Sequence, residues 1–173
     1  MEVCISIGSN LASAQGSPEE IVARAIQELR MLSLTYCQAS SLYETSPVDC
    51  SPDAPTFINA VVKMDVAQSM APAEFLGMLQ AIEQKFGRER PQRPNDARTL
   101  DLDLISFGMV RAHRAELELP HPRAHLRAFV LTPLVEVDPN FNIPGFAESA
   151  EQLLAQLPSD PQLRMLNSYL TEM

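Results

Sequence analysis

The sequence lacks a glycine-rich phosphate loop: among its six glycines neither G-x-x-x-x-G-K nor G-x-G-x-x-G occurs. A nucleotide bound here would have its phosphates held by arginine and metal, without a backbone cradle. No stretch is long and apolar enough to span a membrane, and Met1 to Leu11 is too short and too polar for a signal peptide. The three cysteines, Cys4, Cys37 and Cys50, are odd in number and have no metal-ligand spacing. They read as incidental thiols of a reducing compartment, so a soluble cytoplasmic protein is expected. Aromatics make up only 6% and the net charge is −9, which argues against a nucleic-acid partner and an anionic membrane surface. Nothing points to an obligate protein partner, an internal repeat or a low-complexity segment. With 173 residues and 46% hydrophobic content, one domain over 1–173 is expected.

What is present is unevenly placed. Nine of the 13 basic residues fall between Lys85 and Arg127. They are either a solvated basic face or a local polyanion site inside an acidic protein.

Periodicity supplies the architecture. Val3, Ile5 and Ile7 alternate with polar or small residues, as in a half-buried strand. Ser17-Pro18-Glu19-Glu20 carries a cap, a first-turn proline and the acid of a capping box. Ile21, Val22, Ala25, Ile26, Leu29 and Leu32 then follow at helical spacing. Thr35 to Tyr43 reads as a second strand and Thr45 to Pro55 as a proline-rich loop. Phe57 to Asp65 is a third strand. Pro72 opens a second helix that Gly87 stops. Arg88 to Ala97 is a basic loop, and Thr99 to Phe107 is a fourth strand. The order β-α-β-β-α-β predicts an α+β, ferredoxin-like core: a mainly antiparallel sheet with two helices on one face. From Leu117 onward an edge strand and short helices are expected, kept short by Pro120, Pro122, Pro133, Pro139 and Pro144.

The most informative string is Arg98-Thr99-Leu100-Asp101-Leu102-Asp103-Leu104. Residues two apart on a strand share a side, so the leucines face the core and both carboxylates face away. Two unpaired carboxylates that close repel each other and invite a divalent cation. A site with few protein oxygens suits Mg²⁺, which keeps waters and takes substrate phosphates. On that reasoning Asp101→Ala and Asp103→Ala would leave the fold intact, and either variant would melt as high as the parent or higher without Mg²⁺. The rival reading is an acidic strand face paired with Lys or Arg. His121, Arg127 and Phe129 form a further cluster, suited to phosphate contact and ring stacking but equally to structural roles.

Taken in order, the motifs resemble the 6-hydroxymethyl-7,8-dihydropterin pyrophosphokinase (HPPK) family. They are Ile7-Gly8-Ser9-Asn10-Leu11, Tyr43-Glu44-Thr45, Phe57-Ile58-Asn59-Ala60, Ile82-Glu83 with Gly87-Arg88, Arg98 with Asp101-Leu102-Asp103, and Pro120-His121-Pro122-Arg123 with Arg127-Ala128-Phe129-Val130-Leu131. The match runs to about Pro144. The resemblance implies one such domain and a ferredoxin-like core. It implies transfer of a diphosphate from ATP to 6-hydroxymethyl-7,8-dihydropterin in folate synthesis, releasing AMP. Asp101 and Asp103 would bind two Mg²⁺, with Arg88 and Arg98 as the other catalytic groups. Gln80, Glu83, Leu104, His121 and Arg127 would line the nucleotide side with those arginines, Glu83 near the ribose. Thr45, Ser46, Val48, Phe57, Asn59, Asn95 and Phe129 would form the pterin pocket. The chain departs from the pattern at Asn95, in place of a ring, at Asp96 and Ser46, and at Leu126, where an acid is frequent. Two rivals remain at this level: a non-catalytic ferredoxin-like paralogue that binds a nucleotide or a partner, and a nucleic-acid binder. A mere binder has no need of two carboxylates aimed at a phosphate chain.

Overall fold

The computed structural model describes residues 1–46, 55–88 and 97–166. Strand β1 (Glu2–Ser9) is central. It pairs antiparallel with β4 (Phe57–Asp65) on one side and with β5 (Asp101–Phe107) on the other. Helix α1 (Pro18–Leu32) begins as its residues dictate. Ser17 Oγ accepts the Glu20 N–H, and the Glu20 carboxylate accepts the Ser17 N–H at 2.8 Å. Such a reciprocal cap contributes about 1 kcal/mol. Helix α2 (Pro72–Lys85) ends at Gly87, whose φ of 86° is left-handed. There Arg88 N–H is donated to Glu83 C=O and Gly87 N–H to Gln84 C=O, both at 3.0 Å. That pair of bonds is a Schellman cap, and it turns the chain back over the end of its own helix.

The expected second strand is two short pieces, β2 (Cys37–Ala39) and β3 (Tyr43–Thr45), both on β4. The interruption has a cause. Ser40 Oγ takes the Val61 N–H at 2.9 Å, and the Ser41 N–H goes to the Glu136 carboxylate at 3.0 Å. The Ser40 N–H still reaches the Val61 carbonyl at 2.9 Å, but side chains have taken over the other ladder bonds there. Thr45, expected to open a loop, is instead the last, buried residue of β3.

Beyond β5 come a separate hairpin, β6 (Ala112–Arg114) and β7 (Leu117–Leu119), then a 3₁₀ turn (Ala124–Leu126). Helices α3 (Ala128–Val137) and α4 (Ala150–Ala155) follow, and then β8 (Arg164–Met165), which pairs with β3. The main sheet runs β5-β1-β4-β3-β8, with β2 also on β4. Among the four core strands the order is fourth, first, third, second, all antiparallel, which is the ferredoxin-like α+β arrangement.

Both faces of the sheet are covered, not one. Ile5, Ile7, Ile58, Val62 and Leu102 face α1 and α2, packing on Ile26, Leu29, Phe75 and Leu79. Cys4, Val61 and Ile105 face the other way, against Val130, Leu131 and Leu134 of α3 and Leu153 of α4. Pro133 does not cut α3 short but sits inside it. The helix is almost wholly apolar and buried between the sheet and α4, and that packing outweighs the lost backbone bond. Only part of this second face is covered; the rest is the floor of a cavity. No helix among the described residues is long and apolar enough to cross a membrane.

Candidate active site

Register builds the floor. Gly8 lies between Asp101 on β5 and Asn59 on β4, and Ser6 lies between Asp103 and Val61. Strand alternation turns these side chains to the face away from α1 and α2. The cavity above them has a volume of about 760 Å³, a size suited to small-molecule substrates. Gly8 keeps its centre open, because a Cβ there would stand 3.5 Å from Asn59 Oδ1 and 4.0 Å from the Phe57 ring.

The acids sit in unlike surroundings. Asp101 Oδ1 accepts Arg88 Nη1 at 2.5 Å and its Oδ2 accepts Arg98 Nη1 at 2.8 Å. Burial works against the charge of Arg88, but Asp101 and Glu83 outweigh it and hold its pKa above the ordinary value. Asp103 has looser partners, with Arg127 Nη1 at 3.6 Å and His121 Nε2 at 3.7 Å from Oδ2. Burial and the neighbouring Asp101 charge push Asp103 up to about 6, with Arg127 pulling the other way. The expectation of two unpaired, mutually repelling acids therefore needs correction. Asp101 is doubly paired, so its loss would cost stability, and only Asp103 behaves as the strained member.

The basic side chains are placed by backbone bonds. His121 N–H is donated to Ile105 C=O at 2.9 Å, which sets the ring beside β5. His121 Nδ1 accepts the Arg123 N–H at 3.1 Å, so the ring proton is on Nε2, toward Asp103. Burial, then Arg127 and Arg123, lower His121 to about 4 and keep it a neutral donor at neutral pH. Asn10 holds Arg98 at both ends of its peptide group: Asn10 Oδ1 accepts the Arg98 N–H at 2.8 Å, and the Asn10 N–H goes to Arg98 C=O at 3.1 Å. The Arg127 guanidinium lies over the Phe129 ring, 5.4 Å from its centroid.

At the other end of the cavity Asn59 Nδ2 donates to Thr45 Oγ1 at 2.8 Å. That bond leaves the amide oxygen and one N–H of Asn59 to meet a ligand edge. Phe57 and Phe129, both half-buried, supply ring faces.

Arg88, Arg98, Asp101, Asp103, His121 and Arg127 thus share one cavity with Thr45, Ser46, Phe57, Asn59 and Phe129. Three expected nucleotide contacts do not line it. Leu104 is in the core between the sheet and α1 and α2. Gln80 is half-buried on α2 and absent from the cavity wall. Glu83 is 2% exposed and bonded to Arg88 and to the Leu102 N–H. Val48 and Asn95 lie outside the described residues, as do 47–54 and 89–96 of the two loops. The structure adds Ser6, Gly8, Arg123, Leu126 and the segment from Leu157 to Pro161 to the wall. Sequence spacing carried a signal only for Ser6 and Gly8, which alternate on β1; the rest arrive by tertiary folding.

The donor set fits Mg²⁺. Two carboxylates on one strand face open into a cavity rimmed by cations, and each ionised oxygen keeps acceptor capacity beyond its present bond. Among the described residues no three His, Cys, Asp or Glu side chains come together, so the remaining ligands would be water and phosphate. Arg88 Nε is buried without a hydrogen-bond partner, a cost of about 1–3 kcal/mol that an oxygen-rich ligand drawing the side chain outward would relieve.

Comparison with known proteins agrees. The chain is 38% identical over 152 residues to a 2-amino-4-hydroxy-6-hydroxymethyldihydropteridine pyrophosphokinase of Synechocystis sp., covering 88% of this chain and 72% of that one. It is 37% identical over 157 residues to the protein of that name from Pseudomonas aeruginosa, covering 90% and 91%. A crystal structure of Plasmodium falciparum HPPK-DHPS, a triple mutant with SDX-DHP, superposes with a TM-score of 0.65 at 14% identity over 89% of this chain. That likeness shows the fold alone, and this chain spans 44% of the length of that one. Residues 4–139, from β1 through the cavity wall to the end of α3, match the 7,8-dihydro-6-hydroxymethylpterin-pyrophosphokinase (HPPK) family, to which the chain therefore belongs.

Proposed function

We propose that this chain transfers diphosphate from ATP to 6-hydroxymethyl-7,8-dihydropterin, giving AMP and the pterin diphosphate of folate synthesis, as one domain over 1–173. The observation that carries this reading is the convergence on one cavity of an acid pair, four arginines, a histidine, an amide and two aromatic rings. The pterin would lie over Gly8 between Phe57 and Phe129, with its donor and acceptor edge on Asn59. ATP would extend its phosphates along Arg88, Arg98, His121 and Arg127.

Asp101 and Asp103 would hold two Mg²⁺, which when bound neutralise charge on the attacking and leaving oxygens. The protein's own part is orientation and charge. Asp101 would hold metal with Asp103, and Arg88 and Arg98, now paired with Asp101, would turn to the phosphoryl oxygens, where negative charge spreads during transfer. His121 donates its Nε2 proton in a hydrogen bond while the ring stays neutral. Arg127 holds Phe129 flat while facing the phosphates. The cavity walls exclude water, which would otherwise compete with the pterin hydroxyl for the diphosphate. The partners are small molecules, ATP and the pterin, and the proposed site of action is the cytoplasm.

Incubation with ATP, Mg²⁺ and the hydroxymethyl pterin tests the reading. Pterin-dependent AMP release is expected. Nucleotide binding with no AMP would instead favour a non-catalytic member of the family.

A further inference from the structure

Glu83 is a buried carboxylate that does not reach the cavity, and its bonds explain why it is there. A charge removed from water needs partners. One Glu83 oxygen, Oε1, takes both the Leu102 N–H at 2.8 Å and Arg88 Nη1. The same Nη1 reaches Asp101 Oδ1 at 2.5 Å. Local structure favours the arginine contact: the Schellman cap at Gly87 folds Arg88 back so that its N–H meets the carbonyl of Glu83 itself, which brings the two side chains near each other. The Leu102 N–H belongs to the outer edge of β5, the last strand of the sheet, and it sits between the two acids. Glu83 therefore touches both halves of the apparatus, an arginine and the strand that carries the acids.

We propose that Glu83 is a positioning residue that keeps the Arg88 guanidinium at the cavity mouth when Asp101 gives it up. The inference rests on the diphosphate-transfer reading. Asp101 is a weaker anchor for Arg88 once it holds metal, because a divalent cation on that carboxylate would repel the guanidinium beside it. Glu83 is 2% exposed and outside the cavity wall, so no metal competes for it. Tethered there, Arg88 needs only to swing about Nη1 to present its other nitrogens to the phosphates. Without the tether it would keep only the longer contact of Nη1 with the Leu100 carbonyl, 3.4 Å, and much of the benefit of a firmly held cation would be lost.

The bland alternative is that Glu83 only satisfies a strand-edge N–H. Glu83→Gln separates the two, since glutamine keeps the volume and an acceptor for Leu102 but not the charge that holds Arg88. The experiment measures AMP release at varied ATP, thermal stability, and rotation of the Arg88 guanidinium by nitrogen-15 NMR. The expected result is a fall in kcat of about tenfold or more with KM for ATP within about threefold of the parent, the pattern of an interaction made in the transition state. With Mg²⁺ and an unreactive ATP analogue bound, so that Asp101 is engaged elsewhere, Arg88 rotation should be slow in the parent and fast in the variant. A raised KM with unchanged kcat would put Glu83 on the nucleotide and overturn the proposal. So would unchanged kinetics in the folded variant. A parent that releases no AMP refutes the activity, and the rotation measurement then stands alone: equal rotation in both proteins overturns the tether. If the glutamine variant fails to fold, Glu83→Asp carries the same test, with the charge kept one methylene short of Arg88.

Discussion

Replacing Asp103 by asparagine should stabilise the metal-free protein at neutral pH, although the residue belongs to the acid pair of the site. Its carboxyl is pushed from 3.8 up to about 6 by burial first and by Asp101 second. An acid so raised is disfavoured as the anion by about 3 kcal/mol, at about 1.4 kcal/mol per tenfold change in proton affinity. The side chain is 37% exposed, its open side facing the cavity, and solvent screening trims the figure to about 1–2 kcal/mol. The sign follows from linkage. The folded state binds this proton more tightly than the unfolded state, so its stabilisation is full below about pH 4 and is lost as pH rises through about 6. Asparagine has no such loss. In EDTA at pH 8, Asp103→Asn should melt about 2–8 °C above the parent, and the gap should close toward pH 4. Added Mg²⁺ should raise the parent's melting temperature and leave the variant's unchanged. Differential scanning calorimetry at the two pH values, with and without Mg²⁺, is the assay. A variant that melts below the parent at pH 8 in EDTA, or a gap that ignores pH, refutes the electrostatic account.

Asp101→Ala should do the reverse, lowering stability by about 1–3 kcal/mol because Arg88 and Arg98 lose a shared partner in a partly buried place; urea midpoints in EDTA measure this. AMP release should be lost as well. Leu102→Ala, between the acids but facing the core, should cost about 2–5 kcal/mol while the molecules that remain folded still release AMP. Asn10→Ala leaves the Arg98 N–H without its acceptor and should cost about 1–3 kcal/mol, with a fall in kcat beyond what the folded fraction explains. Asp65 accepts from Thr35, Tyr36 and Ser33, and these bonds, the Thr35 hydroxyl foremost, hold its carboxyl well below the usual range. Its contribution is therefore present above the unfolded pKa and lost as pH falls further into acid, so Asp65→Ala should destabilise at pH 7 and matter less in strong acid, as denaturant titrations at both pH values would record.

The α+β core, the capping box of α1, the glycine stop of α2 and the common face of Asp101 and Asp103 are all legible in the order of the residues. Each of these is a local matter, since strand and helix periods and cap chemistry act over a few residues. The resemblance carried further, bringing Thr45, Phe57, Asn59, His121 and Phe129 into one site before any contact was known. Tertiary structure decided what depends on distant partners. Ser40 and Ser41 break the second strand because Val61 and Glu136 arrive beside them. Pro133 is tolerated in α3 because the sheet and α4 bury it. Asp101 and Asp103 look alike as letters two apart, yet one is doubly paired and the other strained, because guanidinium groups from the end of α2 and from the lead-in to β5 bond Asp101, while Asp103 meets Arg127 and His121 at 3.6 and 3.7 Å. Glu83 shows the same divide: helical spacing says only that it lies on α2, and the return of the chain at Gly87 and the open edge of β5 turn it away from the ligand and under the arginine.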